Sequence, residues 1–157
     1  MKNRSFDNLP PLSKDEALNI LAKPLDQLEL SSDYYKAVFH LSKHPCPQTE
    51  KALLNLIKSK STDSSILIAK RKAIDVLAKI GCYRAIPLIG ENLNSKDPYL
   101  VESCAWALQE LGCKDKNLHR LIGSLLSDSN QNQRLLIQSL YKMNALSEAS
   151  KIKLFLS

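Results

Sequence analysis

AIDVLAKIGC, from Ala73 to Cys82, superposes on CAWALQELGC, from Cys104 to Cys113, at a shift of 31 residues. Leu77 then falls on Leu108, Ile80 on Leu111 and Gly81 on Gly112. Upstream, AVFHLSKHPC (Ala37–Cys46) matches AIDVLAKIGC at a shift of 36, with Leu41 on Leu77. Downstream, LIQSLYKMN (Leu136–Asn144) matches the second segment at a shift of 32, with Leu140 on Leu108. Apolar residues three and four apart mark each copy as an amphipathic helix. Each is followed by a tight turn and a second apolar helix: Thr49 to Lys58, Arg84 to Leu93, Asn117 to Leu126, and Ser147 onward.

One helical hairpin cannot bury its own apolar face and must stack on a neighbour, so a repeat of this length predicts a solenoid. The expected fold is all-α: a right-handed α-solenoid of about four helical hairpins. A preceding helix from Lys14 to Ala22 opens on Ser13 with Glu16 three residues on, the pattern of a capping box, and Pro24 stops it. Leu25, Leu28 and Leu30 carry the chain onward. Residues 1–12, with Pro10 and Pro11 adjacent, read as a flexible lead-in, and 13–157 as a single domain. Gly81 and Gly112 stand where a helix needs a left-handed terminal residue, and Asp97 with Pro98 supplies an N-cap and a first-turn Pro. The last copy runs out at Phe155, Leu156 and Ser157 with little room for the polar end a solenoid needs, so a covering partner or a shortened chain is expected there.

Composition narrows function from outside. The 157 residues include only 4 Gly and 9 aromatics, too few for collagen-like or strand-dense folds. A net charge of +6 permits an acidic partner, and the excess concentrates at Lys70, Arg71, Lys72, Lys79 and Arg84. No dense basic stripe with aromatic support accompanies it, so nucleic acid is not the expected partner. No apolar run reaches the length of a membrane span, and the opening residues lack the apolar core of a signal peptide, so a cytosolic protein is expected. Cys46, Cys82, Cys104 and Cys113 then read as free thiols. Three of them, Cys46, Cys82 and Cys113, share one repeat position, which packing at a turn explains without thiol chemistry.

The run RKAIDVLAKIGCYRAIPLIGENLNSKDPYLVESCAWALQELG, Arg71 to Gly112, resembles the HEAT-like repeat of phycobilisome lyases. The A-I-P element is Ala85, Ile86 and Pro87; the D-P-x-x-V element is Asp97, Pro98, Tyr99, Leu100 and Val101, with Glu102 where Arg is frequent. Over about residues 13 to 144 the chain is similar to E/F-type phycobilin lyases and their chaperone-like relatives, in the phycoerythrin-associated branch. The resemblance implies a lyase subunit or lyase-associated chaperone, often paired with a second chain. Its substrate would be a linear tetrapyrrole, phycoerythrobilin, and its partner a phycoerythrin subunit bearing the acceptor Cys, with no tightly bound cofactor. A non-enzymatic HEAT-like adaptor for another protein is the alternative.

A bilin carries two propionates, pyrrole N–H groups and a flat conjugated face, and so calls for cations, a carboxylate and aromatic surface. Arg71 and Arg84 are the candidates for the propionates, Asp97 or Glu102 for the pyrrole nitrogens, and Tyr83, Tyr99 and Trp106 for the flat face. Each has a plainer alternative: Trp106 in the core, Asp97 as a helix cap, the arginines on a solvated face. His40 and His44 lie four apart, but without the Glu of a zinc protease motif or a fourth ligand they are not read as a metal site. No nucleophile set with recognisable spacing is present, and the catalytic residues stay unassigned.

Overall fold

The capping box forms as its residues require. In the computed structural model, which describes residues 12–28, 30 and 32–146, the Ser13 hydroxyl accepts from Glu16 N at 3.1 Å. The Glu16 carboxylate accepts from Ser13 N at 3.0 Å. Hydrogen bonding to the carboxylate from the Ser13 backbone, and then from its side chain, holds the Glu16 carboxyl below its usual range, and α1 runs Lys14–Ala22 as expected. Pro24 ends it, and a single 3₁₀ turn, Leu25–Gln27, leads on. There follow α2 (Asp33–Leu41), α3 (Pro47–Ile57), α4 (Ser64–Lys79), α5 (Ile86–Asn92), α6 (Pro98–Glu110), α7 (Lys116–Ser124) and α8 (Gln133–Lys142). The expected all-α class is therefore what is found: every regular element among the described residues is helical. No helix among them is long and apolar enough to cross a membrane.

The chain divides into two compact units, Met1–Val76 and Leu77–Ser157, with the division inside α4. In the first, α1 packs on α2 and α3, and Ala17, Ala37, Val38, Leu41 and Leu53 are fully buried. The Tyr34 hydroxyl donates to the Lys23 carbonyl and so pins the end of α1 to α2. Burial, with Asp26 nearby, pushes that phenol up. Lys70, itself buried, donates from Nζ to the Ser59 carbonyl at 2.8 Å and ties down the loop before α4. At the head of α4 the Asp63 carboxylate accepts from the Ser65 hydroxyl and from Ser65 N at 2.9 Å, and these bonds, the hydroxyl's first, lower its pKa.

In the second unit α6 is the central element, packed on α5 and α8, with α7 on α8. Ile89, Leu100, Val101, Leu108, Ile122, Leu136 and Leu140 fill the core. Buried His119 places Nε2 at 2.7 Å from the Cys113 carbonyl; a carbonyl can only accept, so that nitrogen carries the proton.

The repeat shows best where its helices stop. Gly81 and Gly112 have φ of 74° and 64°, and Asn144, which falls on Gly112 at the 32-residue shift, has 56°. At each, two bonds close the helix end: Cys82 N to Leu77 O and Gly81 N to Ala78 O; Cys113 N to Leu108 O and Gly112 N to Gln109 O; Ala145 N to Leu140 O and Asn144 N to Tyr141 O. This is the Schellman arrangement, in which a left-handed residue satisfies the last carbonyls. The first copy departs from it. Its residue at that position is Pro45, whose ring fixes a negative φ. Accordingly α2 ends at Leu41, and an irregular turn leads to Cys46 as N-cap of α3.

The second helices are shifted slightly from expectation. Pro47 at the first turn starts α3 two residues early. A 3₁₀ turn, Tyr83–Ala85, precedes α5, and Asp115 caps α7 by accepting from Asn117 N at 2.8 Å. The expected helix from Ser147 onward, the C-terminal end and the lead-in up to Pro11 lie outside the described residues.

Candidate functional site

Asp97 sets the geometry of the second unit's outward face. Its carboxylate accepts from Tyr99 N at 3.0 Å as the N-cap of α6, and its own N–H donates to Ser95 Oγ at 3.0 Å. Pro98 follows at the first helical position. The cap starts α6 in a phase that buries Leu100, Val101, Cys104, Ala105, Ala107 and Leu108. Tyr99, Glu102 and Trp106 are three and four residues apart and so share the opposite stripe. Tyr99 is 63% exposed, while Glu102 and Trp106 are half-buried. Trp106 is thus no core residue; Ala105 and Leu108 take that role. Three sequence candidates stand on one helix face, with Asp97 as its cap.

A second helix extends that face. Asn132 Nδ2 donates to Glu102 Oε1 at 2.6 Å, and the Ser139 hydroxyl donates to Gln109 Oε1 at 3.3 Å. Both bonds span 30 residues, so α6 and α8 lie side by side and run in the same direction. Asn132 also caps α8, accepting from Leu135 N at 3.2 Å. At the 32-residue shift, Arg134 falls on Glu102, Gln138 on Trp106 and Tyr141 on Gln109. All three are exposed, Tyr141 by 67%. The face therefore carries a cation and a further aromatic ring, Arg134 and Tyr141, beside Glu102 and Trp106. Reading the residues missed both, although the 32-residue shift that sets Leu136–Asn144 on the second segment pairs them with positions of α6.

The remaining candidates lie elsewhere. Tyr83, 67% exposed, and Arg84 belong to the 3₁₀ turn that enters α5, whereas Tyr99 follows its exit. The seven residues of α5 put those groups at opposite ends of a helix about 10 Å long. Arg71 is half-buried on α4 in the first unit.

All four cysteines are free thiols, as expected. Cys82, Cys104 and Cys113 are buried, and burial pushes the Cys113 thiol up. Cys46 is half-exposed at the head of α3. Its thiol donates to Thr49 Oγ1 at 3.4 Å, and the Thr49 hydroxyl donates to the His44 carbonyl at 2.7 Å. Hydrogen bonding with the Thr49 side chain and backbone holds the Cys46 thiol below its usual range, with Lys14 adding to the effect.

No protein-family model matches the chain. It is 38% identical over 134 residues to the bilin biosynthesis protein CpeY of Synechococcus sp., covering 85% of this chain and 32% of that protein. It is 33% identical over 153 residues to an uncharacterized phycocyanin operon protein Y of Pseudanabaena tenuis, covering 98% of this chain and 36% of that one. The chain thus spans about a third of the length of these curated relatives. Among solved structures, the complex of CpcE and CpcF of phycocyanin lyase from Nostoc sp. has the same fold, with a TM-score of 0.73 at 22% identity, over 100% of this chain and 63% of that one. These relatives agree with the resemblance to phycobilin lyases and their chaperone-like relatives carried by Arg71 to Gly112.

Proposed function

We propose that this chain handles a linear tetrapyrrole during its covalent attachment to a phycobiliprotein, as a lyase subunit or lyase-associated chaperone in the cytoplasm. The observation that carries this reading is the sequence match to a protein of bilin biosynthesis across most of the chain. The outward face of α6 and α8 supports it, because it offers the three kinds of group such a ligand needs. Tyr99, Trp106 and Tyr141 give aromatic surface for the conjugated plane. Glu102 gives an acceptor for pyrrole N–H groups, and Arg134 a cation on the same face. Asp97 positions Tyr99 through the cap. Tyr83 and Arg84 in the second unit and, separately, Arg71 in the first are further candidates for bilin contact, in a chain we take as one domain over residues 13–157.

The chemical step needs little beyond orientation. A thiol adds across an exocyclic double bond of a bilin without a leaving group or an oxidant, the sulfur taking one carbon and the proton the other. A protein that fixes pigment and acceptor thiol in reacting geometry gains its effect by proximity. On this reading the acceptor Cys belongs to the phycobiliprotein and none of this chain's thiols is consumed. The finer assignment is phycoerythrobilin as pigment and a phycoerythrin subunit as acceptor, with a second lyase chain completing the assembly.

The test is coexpression with enzymes making phycoerythrobilin and with phycoerythrin or phycocyanin subunits, reading pigment that survives denaturation by its absorbance and fluorescence. More pigment of the correct linkage than in cells lacking this chain is expected, and a larger gain on phycoerythrin. No gain on either acceptor overturns the proposal. If the acceptor subunit is still captured, the adaptor reading takes its place.

A further inference from the structure

The first unit holds a second group of cations that the outward face of α6 and α8 does not include. Phe39 lies on α2 with Lys43 four residues on, just beyond the helix, and the Lys43 ammonium sits 4.9 Å from the ring centroid. From α4, the Lys72 ammonium sits 5.7 Å from the same centroid. Lys36 shares the stripe of α2 at the spacing of one turn before Phe39. His40 packs its edge against the ring, with centroids 5.6 Å apart and planes at 82°. Among the described residues neither Lys43 nor Lys72 makes an ion pair.

This arrangement concentrates positive charge from two helices on one aromatic support. Two points this close to one centroid are at most about 11 Å apart, close to the screening length at 0.1 M salt, so each ammonium feels the other. The ring face attracts cations and fixes where the two long side chains end. The effect reaches a neighbour: burial first, then Lys43 and His44, hold the His40 imidazole below its ordinary pKa and keep it from adding charge. What such a pair lacks is an anion with two negative groups a few ångströms apart. Carboxylates suit ammonium groups as charge-assisted acceptors, and a pair held in place loses little freedom on binding.

We propose that Lys43 and Lys72, braced on Phe39, form a dicarboxylate site that takes the two propionates of a linear tetrapyrrole. The inference rests on the reading of the chain as a bilin-handling protein and adds to it a subsite in the first unit, on residues outside the A-I-P and D-P-x-x-V elements.

The experiment titrates the purified chain with biliverdin, a linear tetrapyrrole dipropionate, and in parallel with its dimethyl ester, following the circular dichroism induced in the pigment band. The native chain is expected to bind the free acid about tenfold more tightly than the ester, a preference that weakens with salt. A Lys43→Gln, Lys72→Gln variant should bind acid and ester alike, at the ester's affinity. A Lys51→Gln, Lys58→Gln variant, which removes the same charge from α3 and the residue that ends it, should keep the preference. The proposal is overturned if the Lys43, Lys72 variant keeps it, or if the native chain binds acid and ester equally; the bilin reading survives both results. Binding of neither pigment by the native chain overturns both. If Lys43 and Lys72 prove necessary only for capturing a phycobiliprotein subunit, the cluster recognises an acidic protein surface and the dicarboxylate site is refuted.

Discussion

Gly112 separates backbone conformation from packing as the reason for a residue. Its φ is 64°, and a Cβ built on it meets nothing within 4 Å. Replacement by Ala therefore creates no clash, and its cost is conformational. An L-residue in the left-handed region costs roughly 1–2 kcal/mol, against which Ala restricts the unfolded chain by about 0.4–1 kcal/mol. The expected net loss for Gly112→Ala is about 1 kcal/mol, or about 3 °C in Tm for a chain of this size. Gly112→Asn should lose less, because Asn144 already holds the equivalent backbone at φ 56°. Asn and Asp pass into this region more easily than other side chains. Urea unfolding followed by circular dichroism, with the slope checked for constancy, gives the differences. Wild-type stability in Gly112→Ala would refute the reasoning. So would an equal loss in the Ala and Asn variants, since the easier passage of Asn into the left-handed region would then have no effect at this position.

Gly90 should behave in the opposite way. It lies inside α5, where Ala is intrinsically better by about 0.5–1 kcal/mol, yet its Cβ would stand 2.6 Å from Leu118 Cδ2 and 3.0 Å from Cδ1. Gly90→Ala should therefore destabilise by about 1 kcal/mol, and Leu118→Ala in the same chain should recover part of that loss; strict additivity of the two changes would count against the contact. Cys46 should be the fast thiol. At pH 7.5 iodoacetamide is expected to label it well before buried Cys82, Cys104 and Cys113, with Thr49→Val slowing the reaction; peptide mapping that finds equal labelling contradicts the Thr49 assignment. His40 sets a pH dependence. Its folded pKa is depressed, so above the ordinary value of 6.5 it is neutral in both states and contributes no slope. Below that value the unfolded chain takes the proton more readily, and stability falls as pH drops towards the folded pKa. His40→Gln should reduce that fall in urea midpoints measured between pH 7 and pH 5.

Local chemistry made much of the fold legible. Ser13 and Glu16 are a capping box by spacing alone, and Asp97 with Pro98 starts a helix wherever the pair stands after a turn. Gly81 and Gly112 could be read as helix ends because only φ > 0 closes a Schellman motif. Asn144, the third member, was hidden because it carries a side chain. Pro45 hid the opposite fact, since matching Leu41 to Leu77 does not reveal that the first copy lacks a left-handed residue. In the candidate site, Tyr99, Glu102 and Trp106 follow from helical spacing within α6. Arg134 and Tyr141 lie in the copy that the 32-residue shift sets on α6, but only burial shows which positions of α8 face outward. The placing of Lys72 beside Phe39 was not legible at all: it depends on which faces of α2 and α4 meet, and 33 residues separate the two.

The paired bonds from Glu102 to Asn132 and from Gln109 to Ser139 have an evolutionary corollary. Both measure the same offset of 30 residues, so together they act as a vernier on the chain between them. One residue gained or lost between Glu102 and Gln109 turns everything beyond it by about 100° and slides it by about 1.5 Å. Only one of the two bonds could then be kept. Substitutions can accumulate along this stretch while its length is held constant, and variation in length among relatives should collect in the turns after Leu93 and Leu126.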